Sequence, residues 1–139
     1  MASDVVKYEK PELLPGEGVT NAIQRVIDSN KASLPTDSQE RKDTPIVSGC
    51  LDYFGAALQE VARLSKYGND KHNPGEELHH ARGKSTDHAD CIVRHLMERG
   101  TEDPSGFSHT VMVAWRALAL LQEELEAAGA PLARGARED

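Results

Sequence analysis

From Val111 to Leu121 the chain reads VMVAWRALALL, a stretch apolar on nearly every side of a helix and broken by one charge, Arg116. A helix of that kind has no face to give to water and must be surrounded. It is expected to start at Ser105 or Ser108 and to run to Ala128, where Gly129 and Pro131 stop it. Two other helical patterns are available to cover it. In the first, Leu51, Phe54, Leu58, Val61, Ala62 and Ser65 recur at spacings of three and four, and Gly68 ends the run. The second opens at Ser85 as N-cap with Asp87 in the first turn, presents Ala89, Ile92, Val93, Leu96 and Met97 as its core face, and stops at Gly100. Two companions are too few to enclose such a helix, so a homo-oligomer is expected to bury the remaining face. With no internal repeat and no strand-like alternation, the class expected is all-α, a small helical bundle completed by oligomerisation.

The chain has 139 residues, the length of one domain, and it divides at about Thr44. Residues 1–44 are expected to form a partly disordered arm: apolar residues are sparse there, and Pro11, Pro15 and Pro35 punctuate a charged background. One short helix fits from Thr20 to Asp28, with Ile23, Val26 and Ile27 on its apolar edge. Residues 45–130 form the helical domain, and the charged tail from Pro131 to Asp139 is expected to fray. A formal charge of −7 argues against a nucleic-acid polymer as partner, because phosphate-backbone binding needs a basic stripe. No apolar run reaches the roughly 20 residues that span a bilayer, and the N-terminus has no apolar signal core. The expected location is therefore cytoplasmic, with no membrane partner. Cys50 and Cys91 make no disulfide framework and read as small buried side chains. His79, His80, His88 and His95 form no zinc pattern with them.

Two groups of polar residues remain. Opposite the expected core face of the second helix lie Asp87, Asp90, Cys91, Arg94, His95 and Glu98. Spacing leaves two readings open. One is a solvated face laced by Asp90–Arg94 and Arg94–Glu98 ion pairs, each contributing a few tenths of a kcal/mol. The other is a site in which Asp87 and Asp90, joined by Glu60, hold Mg²⁺ through oxygen ligands while Arg94 forks onto a phosphate. His109, at the start of the third helix, reads either as a buried structural histidine or as a ligand-binding one. The second group is the connection GNDKHNPGEELHHARGK, Gly68 to Lys84, which is longer than an ordinary helix–helix loop. Lys66, Lys71, Arg82 and Lys84 bracket it against an acidic background. It reads as a long solvated turn or as a lid that recognises phosphate.

The segments GND.HNPG, ARGKS..HAD, RHL..RGT and H...VAWRALALL, within about Pro45 to Leu125, resemble the phage-borne family of dATP/dGTP diphosphohydrolase N-terminal domains, grouped with the MazG-like all-α nucleotide pyrophosphohydrolases. The resemblance implies Mg²⁺-dependent conversion of a deoxynucleoside triphosphate to monophosphate and pyrophosphate, and a phage or prophage origin. MazG-like enzymes present paired glutamates, ExxE followed by ExxD. Here Arg63 stands three residues after Glu60, so the nearest substitute set is Glu60, Asp87 and Asp90 on the metal, with Glu98 completing the site or acting as base. Lys66, Lys84 and Arg94 would stabilise phosphate charge, and Asn69, His72 and Asn73 would position the nucleotide. Tyr67 or Trp115 would stack on the base. The same loop and oligomer would also suit a protein that binds a nucleotide without hydrolysing it, as a sensor or a sponge for a signalling nucleotide.

Overall fold

The computed structural model describes residues 12–22 and 34–137, and helices account for most of them. Asp37 caps a short helix, α1 (Ser38–Lys42), by accepting from the backbone N–H groups of Gln39 and Glu40 at 3.1 and 3.0 Å. A π-helical turn (Val47–Leu51) leads into α2 (Asp52–His72), followed by β1 (His80–Ala81), α3 (His88–Met97), α4 (His109–Ala127) and β2 (Ala136–Arg137). The expected arm helix from Thr20 to Asp28 lies mostly outside the described residues; residues 19–22 are helical.

The apolar helix is α4, and both longer neighbours pack on it: α3 through the largest interface and α2 through a smaller one. Ser108 caps it as a serine at that position should, accepting from Val111 N–H at 3.2 Å. At the far end Gly129 takes φ +110°, a left-handed conformation that only glycine adopts without strain. The all-α class holds, apart from the two-residue strands β1 and β2, which pair in parallel as His80↔Ala136 and Ala81↔Arg137.

Four features differ from the sequence reading. Helix α2 passes through Gly68 and ends at His72, because one interior glycine costs only about 1 kcal/mol and flanking contacts such as the Lys66–Asp70 ion pair offset it. Asn73 is its C-cap, and Gly75 with φ +81° turns the chain away. Helix α3 starts at His88 with Asp87 as N-cap; Ser85 lies outside it and bonds elsewhere. The orientation of α3 is also reversed. His88 and Cys91 are buried and His95 half-buried, whereas Val93 is 55% and Met97 77% exposed. Finally, the tail folds back. Ala136 is buried, His80 N–H donates to Gly135 C=O and Arg82 N–H to Arg137 C=O, both at 2.8 Å.

Among the described residues no large side chain is fully buried. On α4, Leu118, Leu121 and Leu125 lie about half exposed in one stripe at spacings of three and four. No described helix is long and apolar enough to cross a membrane.

Candidate functional site

The last turns of α2, the connection that follows it, α3 with the connection after it, and α4 from Met112 to Glu123 enclose a cleft of about 460 Å³, within the range of small-molecule sites. Its construction begins with Asn69. This side chain is buried and donates to Glu76 C=O at 3.0 Å, while its Oδ1 accepts from His79 N–H and from Asn73 Nδ2. Asn69 thus folds the start of the loop back onto the helix end, with both acceptor positions of its Oδ1 used for that task. The loop's other end is tied down by Glu126 of α4. One carboxylate oxygen accepts from Arg82 Nη2 at 2.6 Å, Gln122 Nε2 at 2.7 Å and Ala133 N–H at 3.0 Å. Burial alone would raise the Glu126 pKa; the bonds from Gln122, Ala133 and Arg82 outweigh it and hold the carboxyl below its ordinary value.

The cleft has a charge opposite to that of the chain. Lys71, Arg82, Lys84 and Arg116 line it against only Asp103 and Glu123, in a protein of net charge −7. Five of the six histidines line it as well, all except His109. Arg116, the single charge in the apolar run of α4, is the organising group. Its Nη1 donates to Ser85 Oγ at 3.0 Å and to His88 Nδ1 at 3.2 Å, and its guanidinium lies 5.8 Å from the Trp115 ring centroid. His88 Nε2 sits 2.8 Å from Glu123 Oε2. An imidazole that donates to Glu123 from Nε2 and accepts from Arg116 at Nδ1 is fully engaged, so His88 braces Arg116. Trp115 donates from Nε1 to Ser65 Oγ at 2.8 Å, which fixes α2 against α4 at the cleft floor. Tyr67 also lines the cleft and meets Phe107 with ring centroids 5.4 Å apart.

His80 and His95 are held below the usual imidazole value. For His80 the cause is burial first, then the charges of Arg82 and His79. For His95 it is burial, then His109, Arg116 and Arg94, against an opposing pull from Asp103. A cleft lined by guanidinium and ammonium groups with neutral imidazoles between them is suited to an anion, and phosphates match the planar fork of arginine.

Residues 36–130 match the family model described as dATP/dGTP diphosphohydrolase, N-terminal. The chain belongs to that family. No curated protein and no solved structure matches it.

In this dATP/dGTP diphosphohydrolase N-terminal domain, Tyr67, Asn69, His72, Asn73 and Lys84 all line the one cleft. Lys71, Arg82 and Trp115 line it as well, whereas Glu60, Lys66, Asp87, Asp90, Arg94, Glu98 and His109 do not. Lys66 is exposed and paired with Asp70 at 2.8 Å. Arg94, also exposed, donates to Asp87 at 3.3 Å and to Cys91 Sγ at 3.0 Å. Hydrogen bonds from Cys91 and then Arg94 lower the Asp87 pKa. His109 is buried behind His95, its Nε2 3.0 Å from Glu98 Oε2. Glu60 pairs with Arg63, the very residue that replaces the second glutamate of the expected motif. Asp90 is exposed on α3.

The carboxylates expected to hold Mg²⁺ are therefore not gathered. Among the described residues no group of three or more His, Cys, Asp or Glu side chains is placed to hold a metal ion. Glu60, Asp87 and Asp90 do not fit Mg²⁺ as they stand, and no chemical step is assigned to it. The reason lies in the reversed α3: its inward face carries His88, Cys91 and His95, and Asp87 and Asp90 lie outside. Arg116, His88 and Glu123 were missed from sequence. The signal available was Arg116 itself, since a lone guanidinium in an otherwise apolar helix needs a partner and a purpose.

Proposed function

We propose that the cleft binds a nucleoside triphosphate of the dATP or dGTP type and that the protein hydrolyses it to the monophosphate and pyrophosphate. Family membership supports the reaction class. The observation that carries the placement is the cationic cleft, in which Arg82, Lys84 and Arg116 oppose an acidic background. The phosphates would lie against Arg116 and Arg82, both fixed by carboxylate-anchored networks before a ligand arrives. Preorganised cations of that kind lose little on binding and are worth most in a partly desolvated cleft. The base would stack on the Tyr67 and Phe107 edge. In the cytoplasm of an infected host such an activity would reshape the nucleotide pool.

A homo-oligomer belongs to this reading. Val93 and Met97 on α3, with Leu118, Leu121 and Leu125 on α4, are the surface that a second copy would cover.

A second reading, nucleotide binding without turnover, is favoured by one observation: Glu60 is occupied by Arg63, Asp87 by Arg94 and Glu98 by His109. Purified protein incubated with each deoxynucleoside triphosphate, with and without Mg²⁺, separates the two. Pyrophosphate release supports hydrolysis. Tight binding by calorimetry without release overturns hydrolysis and supports the binder, and neither binding nor release overturns both.

A further inference from the structure

Behind the cleft wall, the Nδ1 atoms of His95 and His109 lie 2.9 Å apart, and His109 Nε2 lies 3.0 Å from Glu98 Oε2. For two neutral rings these distances place the protons. A carboxylate accepts only, so His109 Nε2 carries a proton and donates it to Glu98. With both rings neutral, His109 Nδ1 then holds a lone pair, and the proton between the rings belongs to His95 Nδ1. That leaves the lone pair of His95 on Nε2. Among the described residues Nε2 makes no hydrogen bond, and His95 lines the cleft.

We propose that His95 is the general base of the pyrophosphohydrolase, accepting the proton of the attacking water at Nε2, with His109 and Glu98 as positioning residues. This rests on the hydrolytic reading above. In the step, the water oxygen bonds to the phosphorus on one side of the α–β bridge as the P–O bridge bond at that phosphorus breaks. The bond pair stays on the departing phosphate oxygen, and the water proton passes to His95 Nε2 and then to solvent. No oxidant or further reactant is needed. A lone pair would repel a phosphate oxygen but attracts a water O–H, so this group is matched to the nucleophile and Arg116 to the phosphate. The charged and titratable groups facing His95 are Arg116 from α4, Arg94 on its own helix, His109, and Asp103 from the α3–α4 connection. Their sum, with burial, holds His95 below its ordinary value, so the ring is unprotonated at neutral pH.

The test combines kinetics with a direct proton readout. In H95Q, kcat for pyrophosphate release should fall at least about 100-fold while nucleotide affinity by calorimetry stays within about twofold. Wild-type kcat should show an acid limb below the ordinary imidazole value, and H109Q, which alters the group hydrogen-bonded to His95 Nδ1, should displace that limb. Nitrogen-15 NMR of the wild-type protein should show His95 as the Nδ1–H tautomer. Turnover in H95Q within about twofold of wild type overturns the base while leaving the hydrolase standing. An Nε2–H tautomer overturns it even if the variant fails to fold. Absence of pyrophosphate release by the wild type overturns the hydrolase reading and the base with it.

Discussion

Replacing Glu126 by alanine should destabilise the protein more than any other single change on the surface of α4. One oxygen of Glu126 accepts three hydrogen bonds, from the cleft loop (Arg82), from its own helix (Gln122) and from the tail (Ala133). The Arg82 side chain is 21% and that of Glu126 11% exposed, so water replaces the lost partner only in part. Arg82 Nε already lies buried without a partner, which leaves the guanidinium dependent on this carboxylate. Losing a charge-assisted bond of this kind costs about 1.5–3 kcal/mol, and a stranded, mostly buried charge pushes the cost towards the top of that range. For a chain of this size about 3 kcal/mol corresponds to a fall in Tm of roughly 10 °C. Thermal melts by circular dichroism, at one fixed protein concentration, measure it, with Glu124→Ala on the exposed side of α4 as the comparison. The pH dependence adds a second check. The folded pKa of Glu126 is depressed, so its contribution is complete above the ordinary carboxylate value and is lost as pH falls through the folded value. The gap between wild type and Glu126→Ala should therefore narrow in acid. A variant melting within about 2 °C of wild type, or a gap that does not close in acid, would refute the role assigned to this carboxylate.

Arg116→Ala should weaken nucleotide binding by roughly 10- to 100-fold, the worth of one charge-assisted contact to phosphate, as read by calorimetry; unchanged affinity would move the phosphates elsewhere. Asp90→Asn should leave pyrophosphate release within about twofold, because the side chain is exposed and belongs to no metal-holding cluster among the described residues; abolished release would show that the carboxylates gather in the assembled protein. Stability should fall as pH drops from the ordinary imidazole value of 6.5 towards the lower folded values of His80 and His95, since the unfolded chain takes up protons there that the folded one refuses. A Tm independent of pH across that interval would contradict it. Leu121→Glu should lower the molar mass seen by analytical ultracentrifugation if a second copy covers the α4 stripe, and an unchanged mass would clear that face of the role.

The helices were largely legible in the sequence because their signals are local. Ser108 caps α4 where a serine before an apolar run should, and the apolar run makes α4 the central helix. That the loop residues come together was legible through composition, since Tyr67, Asn69, His72, Asn73 and Lys84 line one cleft. What was not legible depends on partners distant in the chain. Periodicity turns the most apolar face of a helix inward, which for α3 means Ala89, Ile92, Val93, Leu96 and Met97, of which Ile92 alone is even half-buried. The structure turns His88, Cys91 and His95 inward instead, because Arg116, Glu123 and His109 satisfy the imidazoles there. Gly68 read as a stop, yet the helix continues to His72 and delivers that histidine to the cleft. The tail read as frayed because its own residues carry no strand signal; its order comes from an open edge at His80–Ala81 and from the spare capacity of Glu126.

The pairing of β2 with β1 has a practical side. Arg137 closes a strand paired with the cleft-lining His80–Ala81, so anything attached after it begins beside the cleft. A purification tag or a following domain there would pull on the strand that pairs with His80 and Ala81, and proteolysis between residues 131 and 135 would release that strand without touching a helix. Affinities measured on C-terminally tagged protein would then report the tag's leverage as well as the chemistry of the cleft, and an N-terminal tag is the cleaner choice.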